Sequence, residues 1–536
     1  MKTQAIPLNT AIETSTQNQQ PKGKTQMNRI RSLLGEFVSM RHSRIIALGF
    51  VLLVVLASSN SFGQTTFRYD ANNSGNNQSE TLLTTSNVAQ LTQTSWSPFP
   101  LLSPGPVNTS PVAVGGTVYV LDTGYLYALN AVTGVAVPGF PYAYNTPGSG
   151  CPSSPVIGPP SYWSVTPVVF FYDACSPGGG TLYAVYATGS LAGTALWSAN
   201  VPAGSTAFNA PVIASPTLAF IGTPGFTGVF LAEDCVYAFG AGNGSPLTTW
   251  PGGGPNSPCP ATGESVNPVY GGTSSSAIGS MYGAGSDTLF VGSSNGSVAI
   301  NISNGQQLWA SPSNLGAVSY SSPSAPLTCE DSRFWLCLNN PTDFVIAGTS
   351  TGQIADFDPV HGTSPWQFSI SSPPFGYYGL SYNSSPAVAT EVINGHAQQI
   401  AYVGSSFSYP VTQHFCNLHY SQTATSGYLT ALNANTGTAI WQSGLLNPIG
   451  FSSPAVANGV VFVADLGDSN VPCVGGQVDG RIYAFDAKGG RPLWSYDLGY
   501  IGMPSDEIGS PAVNNGMVFE TAGPQLYAFC VPNVSC

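Results

Sequence analysis

The chain has 536 residues, 43% of them hydrophobic and only 7% charged, with 62 Gly and 44 Pro. Seven of the twelve Lys and Arg, but only two of the 24 acids, lie at or before Arg44, so residues 64–536 hold five basic and 22 acidic groups, a formal charge of −17. That balance leaves no basic cluster for a phosphate backbone or an anionic bilayer, and the apolar content argues against a disordered chain.

Residues 1–63 are expected to be an export signal behind a long polar leader. Arg41 and Arg44 precede an apolar run from Ile45 to Ala57, and small and polar residues follow as far as Gly63. This is the three-part layout of a secretory signal peptide. The run of about 13 residues is short of the ~20 that span a bilayer. Cleavage is placed near Gly63–Gln64, with no stable membrane insertion afterwards and a secreted, periplasmic or cell-surface destination. All ten cysteines follow the signal, and an even number in an exported chain implies disulfides. Sequence neighbours give the shortest closures: Cys151–Cys175, Cys235–Cys259, Cys329–Cys337, Cys416–Cys473 and Cys530–Cys536. Sequence does not fix that connectivity.

From residue 64 the chain repeats. "GYLTALNANTG" from Gly427 has relatives in "GYLYALNAVTG" from Gly124, "GGTLYAVYATG" from Gly179, "CVYAFGAGNG" from Cys235 and "GSVAINISNG" from Gly296. "GQIADFDPVHG" from Gly352, "GRIYAFDAKGG" from Gly480 and "PQLYAFCVPN" from Pro524 complete the set. Each alternates like a strand with two different faces and then reaches Asn, Asp or Gly, which accept a tight turn. A second strand closes on Trp197, Trp250, Trp309, Trp366, Trp441 or Trp494, mostly 53 to 59 residues apart, with Phe140 in the first unit. Ahead of each unit stands a Ser-Pro signature such as "SSPAVA" at Ser384 and Ser452, opening a further pair of strands. One period therefore reads strand, strand, strand, turn, strand, the four-stranded blade of a β-propeller. The last unit lacks its tryptophan strand, and the N-terminal "LTQTSW" at 91–96 is a spare one. The expected fold is all-β, a single domain over 64–536, with eight blades closed by that N-terminal strand. Because the fourth unit is degenerate, seven blades is the alternative.

These repeats, with "FRYDANNSGNNQSETLLTTSNVAQLTQTSW" at Phe67–Trp96, resemble the pyrroloquinoline quinone (PQQ) propeller superfamily and its secreted bacterial members. The resemblance spans nearly the whole mature chain. It implies a quinoprotein-like ring and, in the family's alcohol and sugar dehydrogenases, a quinone over the central channel. The alcohol-dehydrogenase branch carries a disulfide between adjacent cysteines; no Cys-Cys pair and no C-x-x-C-H haem motif occur in this sequence.

Other chemistry is sparse. "HFCNLHY" places His414, Cys416 and His419 in a long insertion of the sixth unit, read as a disulfide cysteine with two solvent-facing histidines. "DLGDSN" supplies Asp465 and Asp468, with Asp479 nearby, oxygen donors of a kind calcium uses, though turn chemistry accounts for them equally. Adjacent acids at Glu233–Asp234 and Glu330–Asp331 point to opposite faces if they lie on a strand. The expected function is a non-catalytic, monomeric binding or scaffolding platform for protein or glycan. It would act through insertions at 145–163, 251–273, 326–341 and 405–426, with no cofactor. The alternative is a PQQ-dependent oxidoreductase using calcium.

Overall fold

Two-residue Asn-Gly turns set the first hairpin of several blades. Asn458–Gly459 joins Ala455–Ala457 to Val460–Asp465, and Asn515–Gly516 joins Ala512–Asn514 to Met517–Ala522. All four turn residues have positive φ, the twist that matches flanking strands in a tight hairpin. The structure, a computed structural model, describes residues 68–70, 73–103, 109–159, 166–176, 180–201, 212–214, 228–232, 236–247, 277–279, 288–293, 296–302, 305–312, 315, 318, 321–325, 344–370, 378–415, 418–467, 479–500 and 508–532. Within these, 212–214, 228–232, 277–279, 293, 378, 411–424, 479 and 500 are described by backbone alone. The chain divides between Ser61 and Phe62, and every described residue lies in the second unit. The export signal expected at 1–63 lies outside the described residues.

The described strands form eight sheets, and the fold is an all-β propeller. Blade one joins Val112–Val114, Thr117–Leu121, Tyr125–Asn130 and Tyr142–Ala143 in antiparallel order. Blades two to seven repeat the pattern along consecutive chain, with three strands described in the third and fifth. The weakest unit in the sequence, the fourth, forms a four-stranded sheet from Ala277–Gly279 to Gln307–Ala310. The eighth sheet joins the two ends of the chain: Thr92–Gln93 pairs antiparallel with Gln525–Cys530, and Phe99–Pro100 extends the same edge.

Two hydrogen-bond series hold the blades together. Near the axis, the Ser-Pro signatures interlock: the Ser322 amide donates to Ser385 Oγ (2.8 Å), Ser385 to Ser453 (3.0 Å), Ser453 to Ser510 (2.9 Å), Ser510 to Ser110 (2.8 Å) and Ser110 to Ser154 (2.9 Å). The bond from Ser510 to Ser110 closes the ring. Farther out, each described tryptophan indole donates to a backbone carbonyl of the following blade. The pairs are Trp96–Val132, Trp197–Ala241, Trp309–Pro359, Trp366–Ala434, Trp441–Ala487 and Trp494–Leu91. In blade one, Phe140 cannot donate. Tyr119, edge-on to Phe140, sends its hydroxyl to the Ala187 carbonyl instead (3.2 Å).

One insertion differs from its sequence reading. The stretch around 405–426 is not a loop: His396–Phe415 and Leu418–Asn433 pair continuously from Ile400↔Asn433 to Phe415↔Leu418. Phe407, Tyr409 and Val411 alternate with Ser406, Ser408 and Thr412, a period of two that sustains a strand. Blade six therefore carries a hairpin arm running past its partner strand Ala387–Ile393.

Candidate functional site

The first strands of blades six, seven and eight are Ala387–Ile393, Ala455–Ala457 and Ala512–Asn514. The segment Arg68–Glu80 lies along them. Ser74 and Gly75 accept the Val388 and Val456 amides through their carbonyls (2.6 and 2.7 Å). Asn76–Asn77 pairs parallel with Val456–Ala457 of blade seven. In blade eight, the Val513 amide donates to the Tyr69 hydroxyl (2.8 Å), and the Asn77 side chain returns a bond to the Val513 carbonyl (2.6 Å). Glu80 Oε2 accepts the Gly516 amide at 3.0 Å. Gly75 permits the approach, since a Cβ there would fall 2.5 Å from Arg68 Nη2 and 2.7 Å from Ala387 Cβ.

Arg68 anchors this segment. Its guanidinium is buried and donates to the carbonyls of Asn73 (3.3 Å), Ser385 (2.9 Å) and Pro386. Burial pushes it down to about 9, with the Asp70 carboxylate opposing, so it remains charged at neutral pH. A cavity of about 10 Å³ lies between Arg68, Tyr69, Gly75 and the Ser-Pro pairs 110–111, 453–454 and 510–511. That is room for about one water.

A second recurring element is a carboxylate at the end of the second strand. Asp122 accepts from the Ser103, Gly124 and Tyr125 amides and from the Ser103 and Tyr127 hydroxyls, at 2.5–2.9 Å. Asp173 accepts from Asn145, Ser176 and the amides of Cys151 and Cys175. Those two cysteines form a disulfide with Cα atoms 5.1 Å apart. Asp465, a calcium candidate from the sequence, occupies the same place in blade seven. It accepts from the Asn447, Gly467 and Arg481 amides and the Tyr483 hydroxyl (2.8–3.3 Å). Four donors fill the lone-pair sites of one carboxylate, so the residue acts as a turn cap. Burial pushes its carboxyl above the ordinary range while those donors pull the other way.

The other sequence candidates are not assembled into a site. Asp468 lies outside the described residues, and Asp479 is described only as the backbone start of Asp479–Asp486. Among the described residues no group of three His, Cys, Asp or Glu could hold a metal ion. Cys530 is disulfide-bonded to a residue outside the described set. Cys235, Cys259, Cys329, Cys337, Cys416, Cys473 and Cys536 are outside it, as are Glu233–Asp234 and Glu330–Asp331. Sequence reading missed Arg68 and the interlocking serines. The signal for the serines was the repeated Ser-Pro itself; nothing local marks Arg68.

A quinone of the kind the family's dehydrogenases use needs an aromatic platform, and cations for its carboxylates. The six described tryptophans are committed to neighbouring blades, and Arg68 to three carbonyls. Arg481 pairs with Asp497 at 3.2 Å, both exposed, and Lys488 lies 4.0 Å from Glu391. Arg491, the remaining described cation, is exposed ahead of the strand Pro492–Tyr500. Trp163, Trp250, Trp335 and Arg333 lie outside the described residues.

The ring, its repeats and its closure define a β-propeller. Residues 425–531 match the family described as outer membrane protein assembly factor BamB. A 114-residue stretch is 34% identical to tetrathionate hydrolase of Acidithiobacillus ferrooxidans, covering 20% of this chain and 22% of that protein. The chain thus spans about a fifth of the length of that curated relative. A quinohemoprotein alcohol dehydrogenase from Pseudomonas putida HK5 is similar with a TM-score of 0.53 at 14% identity, over 88% of this chain and 80% of its own. A europium-containing methanol dehydrogenase gives 0.53 at 14% over 88% and 98%. The quinohemoprotein alcohol dehydrogenase of Comamonas testosteroni gives 0.52 at 14% over 87% and 80%. At such identity the likeness is one of fold.

Proposed function

We propose that the protein is an exported, monomeric binding platform for protein or glycan, and that it works without catalysis. The observation that carries this reading is a stretch of the chain laid along inner strands: Arg68–Glu80 bonds to the first strands of blades six, seven and eight and occupies them with the protein's own residues. Binding is assigned to the periphery, above all to the blade-six arm, a hairpin projection with Tyr409 at its root. The paucity of basic residues disfavours nucleic acid and anionic membranes as partners. Among the described residues no helix is long and apolar enough to cross a membrane.

The test has two arms. Purified protein is mixed with PQQ and calcium, and dye reduction is followed with sugars, alcohols and tetrathionate, the last included because of the relative's name. No quinone uptake and no turnover are expected. In parallel, a glycan array and a periplasmic or secreted protein panel are probed with the intact chain and with an arm-deleted chain in which an Asn-Gly turn joins Tyr409 to Ala424. Binding lost on deletion supports the platform. Stoichiometric quinone uptake with turnover would replace it with the PQQ-dependent oxidoreductase.

A further inference from the structure

The blade-six arm brings together two histidines that the sequence leaves five positions apart. Asn394–Gly395, both of positive φ, form a two-residue turn flanked by Ile393↔His396. The pair flanking such a turn is hydrogen-bonded. Even-numbered residues of His396–Phe415 therefore bond toward Ala387–Ile393, and odd-numbered ones toward Leu418–Asn433. The bond from the Ala434 amide to the Gln399 carbonyl (2.9 Å) agrees with that parity.

The register then runs from Ile400↔Asn433 to Phe415↔Leu418 without a shift. Parity counted from the far end makes Phe415↔Leu418 a hydrogen-bonded pair. Parity counted from the arm's own two-residue turn gives the same answer. His414↔His419 is consequently the adjacent non-hydrogen-bonded pair. In such a pair the Cα atoms are about 4.5 Å apart and both residues lie on one face of the hairpin. It is the opposite face from Phe407, whose ring stacks on Tyr428 in the core between blades five and six.

The register thus places histidine at both members of one cross-strand pair, and imidazole as a residue type suits borderline divalent ions, copper(II) most strongly and zinc(II) next. The acidic domain, with five basic against 22 acidic residues, raises the local cation concentration. We propose that His414 and His419 form a two-imidazole site for copper(II) or zinc(II) on the blade-six arm. Solvent completes the coordination. The inference is independent of the platform reading, since it rests on register alone.

The full chain is titrated with copper(II) or zinc(II) salt alone by calorimetry, and the copper form is examined by electron paramagnetic resonance. One equivalent with nitrogen superhyperfine structure is expected. Affinity should fall as the pH is lowered, because an imidazole must be neutral to bind a metal ion. His414→Asn and His419→Asn should each weaken binding at least about tenfold, and the double variant should lose little more than either single one. His42→Asn, His361→Asn and His396→Asn should bind as the parent does. Unchanged unfolding midpoints without metal establish that the variants fold. Retention of affinity in the double variant, or affinity independent of pH, would overturn the assignment.

Discussion

Five tryptophans rest on a glycine of the next blade, and that contact gives a sharp test of how the ring coheres. A Cβ added at Gly134, Gly244, Gly362, Gly437 or Gly490 would fall 2.4–2.6 Å from ring atoms of Trp96, Trp197, Trp309, Trp366 and Trp441 respectively. Gly437 has φ +67, and its added Cβ would sit 2.4 Å from Trp366 Cε3. Gly395 has φ +82 with nothing within 4 Å. Gly437→Ala and Gly395→Ala therefore share the left-handed backbone strain, about 1–2 kcal/mol, and the same gain from a stiffer unfolded chain.

Only Gly437→Ala also displaces an indole. The Trp366 bond to the Ala434 carbonyl (3.0 Å) is worth about 0.5–1.5 kcal/mol, and the overpacking adds about 1–3 kcal/mol. Gly437→Ala should lose about 2–4 kcal/mol more than Gly395→Ala, read from urea unfolding followed by tryptophan fluorescence. A Trp366→Leu background should shrink that excess, because the clashing ring is gone. Equal losses in the two single variants would refute the stacking argument.

Three further outcomes follow from buried polar groups. Asp356 is buried and its carboxyl is raised to about 7 by burial, opposed by the Val345 amide at 3.3 Å. The native state thus holds this proton more tightly than the unfolded chain, so the stability linked to it is full below pH ~4 and lost as pH rises through about 7. Asp356→Asn should match the parent near pH 4 and exceed it at pH 8 by at most about 4 kcal/mol; a pH-independent difference in urea midpoints would contradict this. Ser110→Ala strips the acceptor from the buried Ser510 amide and should cost about 1–3 kcal/mol, against under about 0.5 kcal/mol for exposed Ser86→Ala, by thermal unfolding. Tyr119→Phe should cost about 1 kcal/mol more than Tyr402→Phe, because the Ala487 carbonyl reached by Tyr402 (3.0 Å) keeps its bond from Trp441 (2.9 Å).

The repeated strands, turns and closing tryptophans were legible in the sequence, because each of those residues does its work within a blade or against the next one. The Ala-Leu-Asn strand, the Gly turn and the Trp that closes it are local, and their period shows the architecture. Arg68 was not legible: its partners Ser385 and Pro386 are 317 and 318 positions away, and no window of alternating residues reports such a contact. Asp465 was misleading for a different reason. A loop rich in oxygen atoms looks the same in sequence whether those atoms meet a cation or, as they do, the amides of Asn447, Gly467 and Arg481.

The same reasoning indicates where function can reside. Tryptophans, turn glycines and signature serines are each engaged by a neighbouring blade, so substituting them changes stability first and reveals little about ligands. Two stretches depart from the period. Arg68–Glu80 is consumed by hydrogen bonds to blades six, seven and eight. The arm beyond Tyr409 is different: past that residue the register pairs it only with its own other strand. A two-stranded ribbon beyond the sheet does nothing for the ring's core, and two strands alone are marginally stable in water. A ligand held across the strands, such as a metal ion on His414 and His419, would both stiffen that ribbon and give it a purpose the propeller does not supply.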